Sequence, residues 1–382
     1  MADLSIENLV KRFGNFTAVD ELDLKVEDGE FIFLLGPSGC GKTTTLRMIA
    51  GLEMPTSGRI EIAGRNVTFL RARYRNVGMV FQDYGLYPHM SVYGNIAYPL
   101  QVRRHQRAEI RRKVQEVADT MRITDVLDRM PDQLAAGQLQ RVAIARMLVR
   151  QADIFLMDEP MSHLDAKLRG HMRAELRHIQ KKIGTTTLFV THDQLEAMTM
   201  ADRIMVMNCG KVLQFATPLE IFERPADEFV ATFVGEPHMN VFDVRLTRAN
   251  GRSVADAGSF AITLEEAWVL ENGLAAYEGR KLRLGIRPEH MRVAPAQSEA
   301  HPVGAALFSF EPTGPEDIVV AKAGEVELTV RTSASGMAGL PTREGAPLAL
   351  GFDPRWIYLF DGETGKTVAQ ARASLSAREK AA

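Results

Sequence analysis

Apolar positions along the chain show two textures that change near residue 235. In the first, runs of four or five apolar residues alternate with stretches of helical period. Phe31-Ile32-Phe33-Leu34-Leu35, set between Gly29 and Gly36, reads as a strand buried on both faces. Ile154-Phe155-Leu156-Met157 and Thr187-Leu188-Phe189-Val190 read the same way, while Glu109 to Met121 and Leu139 to Val149 carry helical spacing. Buried strands alternating with helices predict an α/β domain with a largely parallel sheet. Beyond Glu236-Pro237-His238-Met239-Asn240, which reads as a linker, short alternating segments such as Lys281–Ile286 and Val326–Val330 lie between Gly and Pro. That texture predicts small β-barrels. The expected division is therefore 1–235 and 236–382, with the last dozen residues from Ala371 fraying.

The chain has 382 residues, 46% hydrophobic and 25% charged, enough for two domains with packed cores. A formal net charge of -2 gives no global attraction to nucleic acid or anionic lipid. The two cysteines, Cys40 and Cys209, lack metal-ligand spacing and suit a reducing compartment. Acids in Met1–Glu7 stand where a signal peptide would need basic residues. No apolar run approaches the roughly 20 residues that cross a bilayer. Any membrane role is expected to come through partner proteins.

Gly36-Pro37-Ser38-Gly39-Cys40-Gly41-Lys42-Thr43 fits G-x-x-x-x-G-K-[ST], directly after a predicted strand and before a helical pattern. Glycines there let backbone N–H groups curl around phosphate oxygens, and the following helix offers its positive end. Lys42 is expected to reach the β- and γ-phosphates of a nucleotide and the Thr43 hydroxyl to ligate Mg²⁺. Asp158, at the tip of the strand at Ile154, is the expected acid of the Mg²⁺ shell, with Glu159 polarising the attacking water. His192, after the third strand, can contact the γ-phosphate. Gln82, closing a short strand in Met79-Val80-Phe81-Gln82-Asp83, can bond Mg²⁺ or the water. Alone, either would be an ordinary loop residue.

Taken together these residues resemble the ATPase subunits of ABC transporters, through the order of the Gly36 loop, Gln82, a motif at Leu134, Asp158-Glu159, Asp165 and His192. The likeness implies ATP and Mg²⁺ as ligands, phosphate contacts through Ser38, Gly39, Cys40, Gly41, Lys42, Thr43 and Thr44, and a helical subdomain at about 84–152. Phe13, in Lys11-Arg12-Phe13-Gly14, matches the aromatic that stacks on adenine, with Phe16 its nearby competitor. Asp193–Thr199, Phe233–Asn240, Gly285–His290 and Phe352-Asp353-Pro354 narrow the likeness to the maltose and glycerol-3-phosphate importer branch. There the C-terminal portion is a regulatory domain of OB-like barrels, so the fold implied is an α/β P-loop ATPase followed by a β-rich unit.

The same resemblance implies partners: two membrane permease subunits, a second ATPase subunit and a solute-binding protein, with the chain at the cytoplasmic face of the inner membrane. The segment from Tyr84 to about Leu100, through Tyr84, Leu86, Tyr87, Pro88 and Met90, would help form the groove for a permease coupling helix. A nucleic-acid role is not expected, because the C-terminal half lacks a basic cluster with interleaved aromatics. A nucleotide-binding regulatory subunit without turnover is a second reading, opposed by Glu159.

One departure stands out. Where the family reads L-S-G-G-Q, this chain reads Leu134-Ala135-Ala136-Gly137-Gln138. The family serine donates to the γ-phosphate held by the opposite subunit, and Ala135 cannot. Such a bond to a charged group is worth roughly 1.5–3 kcal/mol. Ala136 adds a Cβ where backbone should approach phosphate closely. The expectation is a heterodimer with an intact partner, since a homodimer would carry the defect in both sites; a slower homodimer that tolerates Ala135 and Ala136 is the alternative. Asp165 matches the family residue that organises the dimer interface, beside the less usual Met161 and His163. Cys40, inside the phosphate loop, is expected to make the enzyme sensitive to thiol reagents.

Overall fold

The computed structural model describes residues 2–296, 298, 303–314 and 316–371. Residues 372–382, most of the segment expected to fray, lie outside the described residues. The chain forms two units, Met1–Pro218 and Leu219–Ala382. In chain order the first carries β1 (Leu4–Phe13), β2 (Phe16–Val26), β3 (Phe31–Leu35), α1 (Lys42–Ala50), β4 (Ser57–Ile62), β5 (Arg65–Asn66) and β6 (Val77–Val80). Next come α2 (Val92–Val102), α3 (Arg107–Thr120), α4 (Ala136–Leu148), β7 (Ile154–Asp158), α5 (Ala166–Ile183), β8 (Thr186–Val190), α6 (Gln194–Met200), β9 (Arg203–Asn208) and β10 (Lys211–Ala216).

Each residue of β3, β7 and β8 is buried, as continuous apolar runs require when both faces of a sheet are covered. They lie in a six-stranded sheet of order β10-β9-β3-β8-β7-β6, parallel except where β10 returns antiparallel on β9. Phe33 stacks on Phe189 at 4.5 Å between ring centroids, and Phe31 meets both, so neighbouring strands lock face to face. Because β3, β6, β7 and β8 run parallel, their C-terminal ends share one edge. That edge carries Gly36, Asp158, Thr191 and the turn after Val80.

A second sheet, antiparallel and of order β2-β1-β4-β5, is not anticipated by the parallel-sheet reading. Register shifts between Ile6 and Leu9 and left-handed backbone at Asn8 and Glu21 break the two-residue alternation that would have announced it.

The second unit opens with most of α7 (Pro218–Glu223), then α8 (Glu228–Phe233), β11 (Asn240–Ala249), β12 (Arg252–Asp256), β13 (Ala261–Thr263), α9 (Glu266–Glu271), β14 (Lys281–Ile286) and β15 (Met291–Pro295). It closes with β16 (Val303–Pro312), β17 (Glu316–Ala323), β18 (Val326–Ser333), β19 (Pro347–Phe352), β20 (Ile357–Asp361) and β21 (Thr367–Ala369). Two antiparallel sheets, β13-β12-β11-β14-β20-β21 and β15-β19-β16-β17-β18, share a core that includes Leu246, Leu284, Leu307, Leu328, Leu350 and Trp268. Asn240 ties them together: its amide donates to Thr329 O at 2.8 Å and accepts from Thr329 N at 2.7 Å.

The two units divide at Pro218/Leu219, ahead of the linker expected at 236–240. Arg287, 1% exposed, explains the difference. Its guanidinium donates to Val234 O at 2.7 Å and Phe222 O at 2.5 Å and lies 3.6 Å over the Phe222 ring. The Tyr358 hydroxyl donates to Glu223 O at 3.0 Å, and the Thr367 hydroxyl to Pro225 O at 2.7 Å. These bonds fasten α7 and α8 to the β-rich unit.

Candidate functional site

The loop between β3 and α1 is forced into shape by glycine. Gly36 and Gly41 have φ of +157° and +107°. A Cβ on Gly36 would lie 2.3 Å from Met207 O, and one on Gly41 2.4 Å from Ala18 O, both backbone atoms. No other residue fits at either place. Gly41 caps α1 without any side-chain bond and the first helical turn holds no acid of its own, so its N–H groups are left to a ligand and the positive end of the helix faces the loop. Ser38 and Gly39 are exposed, Thr43 and Thr44 half-buried.

Lys42 is 4% exposed, and its ammonium donates to Gly36 O at 2.8 Å and Pro37 O at 2.9 Å. It makes no ion pair among the described residues, and a buried ammonium resting on carbonyls suits a polyphosphate. Cys40 is 3% exposed, and burial pushes its thiol above the ordinary range. The expected thiol sensitivity therefore runs against its placement, for the thiolate is the reactive form. Cys209 is the exposed cysteine.

The Thr43 hydroxyl donates to Asp158 Oδ1 at 2.9 Å, so α1 and β7 bring together the two oxygens expected to hold Mg²⁺. Burial, with Glu159 adding to it, pushes the Asp158 carboxyl above its ordinary value, and the Thr43 bond opposes that shift. A hydroxyl and one carboxylate are the hard oxygen donors Mg²⁺ takes when phosphates complete its shell. No cluster of three His, Cys, Asp or Glu side chains offers an all-protein cage among the described residues.

Glu159 takes left-handed backbone, φ +46°, at the end of β7. Its N–H donates to Val190 O at 3.0 Å, and its own carbonyl accepts from the Ser162 hydroxyl at 3.0 Å. The turned backbone brings its carboxylate against His192 Nε2. Gln82 sits in the turn beyond β6, exposed, and β6 ends at Val80 rather than at Gln82. The pairing of Val80 with Met157 brings that turn to the edge that carries Asp158.

Phe13 and Phe16 face each other across the β1–β2 hairpin, 46% and 61% exposed, and Lys11 Nζ lies 4.6 Å from the Phe13 ring centroid. Both rings remain open to a base.

At the signature stretch, Ala135 is the N-cap of α4 with extended backbone (φ -71°, ψ 157°) and no side-chain cap. Gln138 supplies half of a capping box, its Oε1 accepting from Ala135 N at 3.1 Å. Ala135 and Ala136 are exposed, Leu134 and Gln138 half-buried. Gly137 is buried, and a Cβ there would stand 2.8 Å from Leu168 Cδ2 of α5. Its smallness thus serves packing within the subunit. Asp165 caps α5, accepting from Leu168 N at 2.9 Å. Met161 is buried, and His163 meets Tyr84 edge-on at 6.2 Å.

Glu196 escaped the sequence reading. It is 3% exposed and accepts at 2.6 Å from the hydroxyl of Thr191, the residue before His192. Burial pushes its carboxyl from an ordinary 4.5 to about 7. A raised folded-state value means that the folded chain binds more protons than the unfolded one between those values. Stability from this group therefore falls as pH rises through that window. The expected loss is about 3 kcal/mol. Urea unfolding at several pH values checks it: Glu196→Gln should flatten this part of the slope, and parallel profiles would refute it.

A groove of about 460 Å³ opens between the sheet and α2, lined among others by Leu52, Met79, Phe81, Tyr87, Tyr98 and Met147. Of the five residues expected to form a docking surface, Tyr87 lines it; Tyr84, Leu86, Pro88 and Met90 do not.

Phosphate loop, acid pair and histidine on one sheet edge define a P-loop nucleoside triphosphatase. Residues 19–162 match the family described as ABC transporter, residues 235–291 the MalK OB fold domain and residues 284–360 the TOBE domain. The chain is 45% identical to the trehalose/maltose import ATP-binding protein MalK of Thermococcus litoralis, covering 96% of this chain and 100% of that protein. It is 43% identical to the sn-glycerol-3-phosphate import ATP-binding protein UgpC of a Ruegeria species, covering 97% and 100%. Among solved structures it resembles cbiO1 of Clostridium perfringens, part of the ABC transporter complex cbiONQ (TM-score 0.53, 29% identity, 57% of this chain and 89% of that one). It also resembles an ATP-binding cassette solved as a dimer with ADP and phosphate (TM-score 0.51, 29% identity, 56% and 98%). The chain belongs to the ABC transporter family, as an ATP-hydrolysing subunit of an importer.

Proposed function

We propose that this subunit powers uptake of a small carbohydrate-like solute, a sugar, a polyol such as glycerol or a glycerol phosphate, as half of an asymmetric ATPase pair. Its relatives' names, for trehalose/maltose and sn-glycerol-3-phosphate import, support the solute class. The observation that carries the asymmetry is an assembled phosphate-loop side beside a signature helix whose N-cap is Ala135.

In this reading Phe13 stacks on adenine, Lys42 and the loop from Ser38 to Thr44 bind the phosphates, and Thr43, Asp158 and Gln82 would hold Mg²⁺. The ion's contribution, when bound, is to neutralise charge on the transferring phosphoryl group. Glu159 accepts a proton from water, and His192 orients the Glu159 carboxylate. Leu134 to Gln138 face the partner's nucleotide, with Asp165 setting α5 beside it. The partner is a second ATPase subunit with an intact signature, whose nucleotide meets the impaired one. The groove beside Tyr87 receives a permease segment, at the cytoplasmic face of the inner membrane. None of the described helices is long and apolar enough to cross a membrane. Two permease subunits and a solute-binding protein complete the importer.

Affinity purification of the full chain from its native cell, followed by ATPase assay, tests this. Recovery of permeases and a second ATPase, with turnover only in the mixture, is the expected result. Robust turnover from this subunit and permeases alone would sink the asymmetric reading; absence of any membrane protein would sink the importer role.

A further inference from the structure

The turn after Gln82 is gripped by two side chains that read in the sequence as ordinary helix residues. Tyr84 and Gly85 are both left-handed, φ +62° and +56°. For a tyrosine that backbone costs roughly 1–3 kcal/mol and persists only where its surroundings over-determine it. Arg146 of α4 does so: Nη1 donates to Gly85 O at 2.6 Å and Nη2 to Tyr84 O at 2.9 Å. The guanidinium forms no ion pair among the described residues and lies 5.5 Å from the Tyr87 ring centroid. Burial holds its pKa below the ordinary value, with Asp83 and Tyr87 opposing.

Asn95 of α2, fully buried, holds the rest of the segment. Its Oδ1 accepts from Tyr87 N at 2.8 Å, and its amide donates to the carbonyls of Tyr87, Met90 and Ser91 at 3.0–3.1 Å. Residues 84–91 are thereby bonded to α2 and α4. The backbone from Phe81 to Asp83, with Gln82 at its centre, joins that body to β6.

We propose that Arg146 and Asn95 are positioning residues for Gln82, locking residues 84–91 to α4 and α2 and so fixing the turn that presents Gln82. The proposal rests on the reading of Gln82 as a residue of the nucleotide site. Arg146 is the sharper probe, because its fork spans two carbonyls that a lysine point charge cannot satisfy equally.

The test is Mg-ATP hydrolysis by the full chain purified with its permeases and the second ATPase subunit that accompanies them, in Arg146→Met, Arg146→Lys, Gln82→Ala and the double variant R146M/Q82A. R146M is expected to lower kcat about tenfold with KM for ATP unchanged. R146K should recover part of the loss, and R146M should add little in the Q82A background. A full R146M loss persisting alongside Q82A, or no loss from R146M, would overturn the clamp while leaving Gln82 in place. Unchanged kcat in Q82A would overturn the Gln82 reading itself and the clamp with it. If R146M fails to fold, comparison of R146K with R146K/Q82A decides by the same criterion.

Discussion

Glu159→Gln is expected to lower ATP turnover by a factor of about 10²–10⁴ while leaving nucleotide binding intact. The substitution keeps the size and hydrogen-bonding reach of the side chain and removes only its capacity to accept a proton from water. Nothing in the phosphate loop depends on that capacity: Lys42 bonds to Gly36 O and Pro37 O, and Thr43 to Asp158. The left-handed backbone at Glu159 is set by the bonds of its own N–H and carbonyl, which glutamine retains. Binding and turnover should therefore separate. Fluorescent-nucleotide titration together with phosphate release reads both. Loss of binding in parallel with turnover would show that Glu159 serves to build the site.

Restoring the signature, as Ala135→Ser with Ala136→Gly, is expected to raise turnover of this subunit assayed without a second ATPase by about 10–150-fold. The backbone is already prepared, because residue 135 has the extended N-cap geometry that serine favours. A serine oxygen there can accept an N–H of the first turn, which leaves its hydroxyl hydrogen to donate outward to phosphate. Capping alone should add about 0.5–2 kcal/mol to the stability of the chain. Thermal unfolding without nucleotide reads that local effect, and phosphate release reads the chemistry. A stabilised protein with unchanged turnover would mean that Ala135 is not where a second nucleotide is bound.

The parallel sheet was legible because Phe31–Leu35, Ile154–Asp158 and Thr186–Val190 are buried on both faces, and such strands spell themselves as unbroken apolar runs. Strand ends on one edge place the residues just after each run together, which is why Thr43 meets Asp158 and Glu159 meets His192. The β1–β2 sheet was not legible: bulges at its irregular positions destroy the alternation by which a half-buried strand is read. Gly137 stood in the sequence only as part of the signature stretch, and its packing against Leu168, distant in sequence, could not be read there. Glu196, Arg146 and Arg287 share one cause. Each is a charged residue on a polar-looking position, and only tertiary packing puts a hydroxyl or a pair of carbonyls where it can satisfy them.

Arg287 also bears on how such a molecule can be inherited in pieces. Both carbonyls that accept from its buried guanidinium, at Phe222 and Val234, precede the stretch where composition changes. Main-chain carbonyls come with any residue, so a recombination event that joined a new C-terminal half at 236 would keep the acceptors and exchange only the partner of the ring beneath the guanidinium, Phe222. A crossover near 218 would carry arginine and ring together. The segment that is exchanged with its packing intact therefore includes α7 and α8 along with the sheets to which they are fastened.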